Sequence, residues 1–206
     1  MSLRNESLQH FLEAASVAFG QFARAPEARR SIGQFFAALE RQGTARAGEG
    51  SRLPVCAHLD MALAVDTSYA SLARLIEGFK GIEPMLEWRR RTKYDHTTAS
   101  DNFVDGHANA MIVGPGGLEE RSDLWFGVTL MAPHVRYPDY DHAPEEVYLM
   151  LSKGEFQQGE GNWFSPGIGG SFYNIPRIKH AMRSAETPLF AFWALLAERS
   201  HWRPAV

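Results

Sequence analysis

Past about Asp95 the chain falls into short apolar runs closed by Gly and Pro, and this texture narrows its possible folds more than any other feature. AMIVGPGG, LWFGVTLMAP, EEVYLMLSKG, GGSFYNIP and PLFAFWALLA follow one another at short intervals. Short apolar runs separated by turn residues read as strands, and several in succession indicate an all-β sandwich or barrel. No internal repeat and no low-complexity segment interrupts them.

The residues before this stretch carry a helical period instead. Leu8, Phe11, Leu12, Ala15, Phe19 and Phe22 recur at three- and four-residue steps, which puts them on one face of a helix. Pro26 suits a first helical turn, and Ile32, Phe35, Phe36 and Leu39 continue the same period until about Gly43. Thr44 to Pro54, rich in Gly and charge, reads as an exposed connector. A further helix is expected over Tyr69, Leu72, Leu75, Ile76 and Phe79, closed by Gly81 and Pro84, with one more short helical turn between Met85 and Lys93. Residues 1–94 are thus expected to be a helical region and residues 95–206 a β-barrel, with the aromatic stripes serving helix packing.

At 206 residues and 45% hydrophobic content, the chain suits one domain with a helical extension. A net charge of -3, from 21 basic and 24 acidic residues, offers no positive field for nucleic acid or an anionic membrane. Cys56 is the only cysteine, which excludes an internal disulfide and a thiolate-rich metal site. The first twenty residues lack the apolar core of a secretory signal, and no run approaches the ~18 apolar residues of a membrane span. A cytoplasmic protein acting on a small molecule is the expectation.

Chemistry concentrates in YPDYDHAPEEVYLMLSKG, from Tyr137 to Gly154. His142, Glu146, Tyr148 and Met150 differ by even numbers, so an extended chain would turn them to one face. Pro144 and the β-rich run Val147–Leu151 favour a strand over a helix here. A carboxylate on an inner face costs several kcal/mol unless it is partnered, and a metal ion would be such a partner. His180, reached through NIPRIKH, offers a further imidazole. Two imidazoles and a carboxylate suit a divalent Zn, Fe, Mn, Co or Ni ion and leave positions open for substrate and water. Taken singly, His180 reads as an ordinary hydrogen-bonded residue and Tyr148 as core; the joint spacing is what singles them out.

That spacing resembles the cupin superfamily, whose first motif runs His-x-His-x3-Glu followed by Gly and whose second places a His beyond a Pro. His142-x3-Glu146 with Gly154 resembles the first and Pro176-x3-His180 the second, while Tyr140 stands in place of the first His. Within cupins, Tyr137-x4-His142-x3-Glu146-x-Tyr148 with His180 downstream looks like the dimethylsulfoniopropionate (DMSP) lyases of the DddQ type. The resemblance implies a helical segment before a cupin barrel, a double-stranded β-helix of jelly-roll form. It also implies one divalent metal bound by His142, Glu146 and His180, with Tyr148 approaching or joining the shell and Tyr137 near the substrate. His134, placed on the strand leading into the motif, receives no role.

The implied reaction is β-elimination of DMSP to dimethyl sulfide and acrylate, for which Tyr148 is the candidate base and Tyr137 a substrate-holding partner. A sulfonium has no hydrogen-bond donor and is suited to aromatic faces, with Trp125, Phe126, Trp163, Phe192 and Trp193 as candidates. The same donor set would also serve a dioxygenase or isomerase of a small carboxylate, or a non-catalytic cupin sensor. RRSIGQFFAALERQ mixes acids with its few basic residues and does not form a phosphate track.

Overall fold

The structure is a computed structural model that describes residues 4–46 and 49–197; the expected connector's residues 47–48 and both chain ends lie outside the described residues. Helices come first. Helix α1 (Glu6–Phe22) is capped by Asn5, whose side chain accepts from the Ser7 and Leu8 N–H groups, and α2 (Pro26–Leu39) starts on the expected proline. After β1 (Thr44–Ala45) follow a 3-10 turn (Pro54–His58), α3 (Leu59–Leu63), α4 (Ala70–Ile82), a 3-10 turn (Glu83–Met85), β2 (Trp88–Arg89) and α5 (Phe103–Gly106). Nine strands complete the fold: β3 (His107–Val113), β4 (Glu119–Glu120), β5 (Leu124–Met131), β6 (Arg136–Tyr140), β7 (Glu145–Met150), β8 (Glu155–Gln158), β9 (Ser171–Asn174), β10 (His180–Arg183) and β11 (Leu189–Leu196).

The strands form a large sheet in the order β1-β4-β3-β5-β11-β7-β9, with β2 added beside β3, and a small sheet in the order β6-β10-β8. This mainly β architecture, helices first and two sheets facing each other, is the jelly-roll-like class expected. The short helical turn expected between Met85 and Lys93 is instead strand β2, whose Trp88 and Arg89 pair with Ala110 and Asn109. Local periodicity could not report that pairing, because its partner lies twenty residues away. Likewise the connector after Gly43 is not free along its length: Thr44 and Ala45 pair with Glu120 and Glu119. Glu119 is buried there, held by Arg4 Nε at 2.6 Å and by the Gly43 N–H at 2.8 Å.

Both faces of the large sheet are covered, so its central strands read as continuous apolar runs. Even-numbered residues of β5 (Phe126, Val128, Leu130) and β11 (Phe190, Phe192, Ala194) meet the helices in one core. Odd-numbered ones (Met131, Leu189, Ala191) face the small sheet in a second core with Tyr137, Tyr148 and Met182. Phe126 sits at the centre of the helical core, its ring 5.5 Å from Phe11, 5.8 Å from Phe19, 5.7 Å from Phe35 and 6.1 Å from Phe192. The aromatic stripes of α1 and α2 therefore pack helix on sheet, with edge and stacked contacts that add to area burial.

One polar contact ties β2, α5 and β3 together. His107 is fully buried; its Nδ1 faces the Phe103 carbonyl, and its Nε2 accepts the Arg91 N–H at 2.8 Å. A neutral ring satisfies both contacts, whereas a protonated one would set Nε2–H against N–H. Burial, helped by the charges of Arg90 and Arg91 and opposed by the Phe103 carbonyl, pushes the imidazole down to about 4.

Two outcomes follow. Phe126→Ala should lower unfolding stability by about 3–5 kcal/mol in urea denaturation, and a loss under ~1 kcal/mol would contradict its central place. Because the folded-state pKa of His107 lies below its unfolded value near ~6.5, its contribution is complete above that value and is lost as pH falls toward the folded pKa. Between pH 7 and 5 it should cost wild-type protein about 2 kcal/mol more than it costs His107→Gln. A stability gap between the two proteins that does not change with pH would contradict this.

Candidate metal centre and cavity

Strand β7 supplies Glu146 and Tyr148 on the face turned to the small sheet, and β10 opens with His180 directly opposite Tyr140 of β6. His142 precedes β7 rather than lying on it, and its ring returns to the same face because its Nδ1 meets the Pro144 carbonyl at 2.9 Å. The even-spacing expectation thus holds for the direction of the side chains, with a loop in place of the first strand residues. His142, Glu146 and His180 each place one ligand-type atom within 4.8 Å of the others, the one such His, Cys, Asp or Glu group among the described residues.

The tautomers follow from the backbone. Each imidazole Nδ1 faces a carbonyl at 2.9 Å, Pro144 for His142 and Ile178 for His180, so each Nδ1 carries the hydrogen and each Nε2 turns a lone pair inward. Those lone pairs approach the same Glu146 Oε2, at 3.2 Å from His142 and 3.3 Å from His180. The second contact lacks hydrogen-bond geometry and leaves buried His180 Nε2 without a partner. With both imidazoles neutral, three acceptors turn on one point; a proton on His142 Nε2 turns its contact into a hydrogen bond to Glu146, whereas buried His180 Nε2 still has no partner, and the donor set fits a divalent metal.

Burial pushes the Glu146 carboxyl up, yet the two imidazoles outweigh it and hold the group well below the usual carboxylate range. His142 answers in the opposite sense: burial lowers it, and the Glu146 charge and hydrogen bond bring it above its ordinary value. Asn174, fully buried on β9, donates to Glu146 Oε2 at 3.0 Å and is itself held by Gln158 Nε2 at 2.6 Å. These two amides escaped the sequence reading, since only the β7–β9 pairing brings Asn174 opposite Glu146.

A cavity of about 340 Å³ opens over this group, lined among others by Tyr137, Tyr140, Tyr148, Trp125, Trp193 and Arg91. Tyr148 Oη lies 2.6 Å from Tyr140 Oη. Burial first, and the Glu146 charge second, raise both phenols well above their ordinary range. Tyr140, which in the sequence stood out only as the replacement of a motif His, therefore belongs to the site through its ring, 4.0 Å from that of His180, and through its hydroxyl. Tyr137 Oη accepts from Asn109 Nδ2 at 3.1 Å, while Asn109 Oδ1 accepts from Thr129 at 2.7 Å, so the Tyr137 hydrogen remains for another acceptor.

Of the five aromatic residues considered for the cavity, Trp125 and Trp193 line it, whereas Phe126 and Phe192 face the helices by strand alternation. Trp163 stands apart, stacked against the Arg183 guanidinium at 4.2 Å. Trp193 lies across Gly127, where any Cβ would enter its ring, and donates its Nε1–H to Thr129 at 3.1 Å. His134 is corrected: it occupies a turn with φ 58°, exposed, and not the strand expected. Among the described residues, no helix is long and apolar enough to cross a membrane.

The profile of the dimethylsulfoniopropionate lyase family matches residues 27–191, well over half of the chain. The crystal structure of DMSP lyase DddQ from Ruegeria pomeroyi DSS-3 is similar at a TM-score of 0.74 and 22% identity, covering 96% of this chain and 95% of that one. A chain from the crystal structures of DMSP lyases RdDddP and RnDddQII is similar at a TM-score of 0.71 and 21% identity, covering 93% and 92%. At such identities these likenesses establish the fold across nearly the whole length. Among curated proteins, no sequence matches this chain. With the family profile reaching from α2 into β11 and the fold shared over nearly the whole length, the chain belongs to the dimethylsulfoniopropionate lyase family of carbon–sulfur lyases.

Proposed function

We propose that this protein cleaves DMSP to dimethyl sulfide and acrylate by β-elimination, using one divalent metal ion held by His142, Glu146 and His180 and Tyr148 as the base. Zn, Fe, Mn, Co and Ni all suit that donor set, and Tyr148 is the further group able to join the shell. The observation that carries the reading is the convergence of Nε2, Oε2 and Nε2 beside the paired Tyr148 and Tyr140 hydroxyls, in a chain of this family.

In the protein alone, burial and the Glu146 charge keep the Tyr148 proton in place. A divalent cation at the three acceptors would favour phenolate and take up negative charge growing on the substrate carboxylate. Tyr148 Oη then removes the proton from the carbon beside the carboxylate. The released pair forms the new carbon–carbon double bond as the carbon–sulfur bond breaks, its electrons passing to sulfur. The sulfonium leaves as neutral dimethyl sulfide, and acrylate keeps the carboxylate. The proton gained by Tyr148 has an exit through its hydrogen bond to Tyr140. Tyr137, already accepting from Asn109, uses its own hydrogen to hold the substrate. Trp125 and Trp193 offer apolar, π-rich walls to the sulfonium.

Zinc-loaded protein given DMSP should release dimethyl sulfide into headspace gas. Tyr148→Phe should slow that release by about 10²–10⁴-fold with bound metal retained in elemental analysis, while His180→Ala should lose metal. A Tyr148→Phe enzyme within about threefold of wild type would remove Tyr148 as the base.

A further inference from the structure

Three consecutive arginines, Arg89, Arg90 and Arg91, line the cavity, and the structure uses them differently. Arg89 pairs with Glu87, and Arg90 Nη2 lies 2.8 Å from Asp105 Oδ1. Arg91 makes no ion pair with any described residue. Its backbone N–H is fixed on buried His107 at 2.8 Å, and its Nε donates to the Lys93 carbonyl at 2.9 Å. With Nε engaged, the two terminal nitrogens have no hydrogen-bond partner among the described residues.

The guanidinium carbon stands 4.9 Å from the centre of the Tyr140 ring and 5.9 Å from that of Tyr137, over both faces. Tyr140 in turn packs on His180, so one aromatic ring separates the free fork from the His142–Glu146–His180 group. A guanidinium half-buried beside aromatic rings, oriented by two backbone contacts and without a carboxylate partner among the described residues, is built to take a planar two-oxygen anion.

We propose that Arg91 is the carboxylate-recognition residue of this cavity and restricts its ligands to small acids. The inference rests on the DMSP-cleavage reading for the natural substrate, and it deepens that reading by naming what selects the acid end. Arg91 holds one edge of the carboxylate, turning the carbon beside it toward Tyr148, and the same pair strengthens as elimination moves charge onto the carboxylate oxygens. His107 acts through Arg91 as a positioning residue.

The test is calorimetric binding of propionate and of its neutral amide, propionamide, to zinc-loaded wild type, Arg91→Gln and Arg91→Lys, with zinc content and KM for DMSP measured on the same preparations. Wild type should prefer propionate. Arg91→Gln should lose about tenfold or more in propionate affinity and raise KM by a similar factor, with zinc content and propionamide binding unchanged. Arg91→Lys, keeping the charge without the fork, should fall between them. Propionate binding and KM left at wild-type values in Arg91→Gln would overturn the proposal even if DMSP is cleaved. If no dimethyl sulfide is released but Arg91 still governs the propionate preference, the anchor stands and the substrate reading fails.

Discussion

Two backbone carbonyls, those of Pro144 and Ile178, set the character of the whole site. By occupying the Nδ1 hydrogens of His142 and His180 they turn both Nε2 atoms toward one carboxylate oxygen, an arrangement that favours a proton on His142 or a cation between the three groups. Asn174, itself held by Gln158, donates to the same Glu146 oxygen and helps keep the carboxylate turned to the two imidazoles. In the proposed reaction the neighbouring tyrosines would depend on a cation at that cluster, because burial and the Glu146 charge hold both phenols well above their ordinary range.

The rest of the fold makes room for this arrangement. A sheet with one solvated face would leave the site shallow; here the helices seal one face around Phe11, Phe79, Phe126 and Phe192, and the other face is free to bound a cavity. Strand alternation then does the sorting. Trp193 and Trp125 turn to the cavity while their neighbours Phe192 and Phe126 turn to the helices, and Gly127 leaves space for the Trp193 indole.

Helices α1, α2 and α4, and the long strands β3, β5, β7 and β11, were legible because each buries a face whose period is written in consecutive residues. The His142, Glu146 and His180 grouping was legible from spacing and family resemblance, and the chain folds them together. What escaped is non-local. Strands β6, β8 and β10 are short and mix polar with apolar residues, so only their mutual pairing defines them. The roles of Tyr140, Asn174 and Asn109 arise from partners 8 to 28 residues away, through contacts no local pattern encodes. Arg91 was hidden for a further reason: in sequence it is one of three adjacent arginines, and only the ion pairs of Arg89 and Arg90 distinguish it.

The central claim is that the inward lone pairs of His142 and His180, with Glu146, form a metal shell. X-ray absorption at the zinc edge on the loaded protein reads that shell directly. The account predicts two imidazole nitrogens and oxygen neighbours at about 2.0–2.2 Å, no sulfur, and one imidazole fewer in His180→Ala at matched zinc loading. A spectrum without imidazole scattering, or one unchanged in His180→Ala, would contradict it.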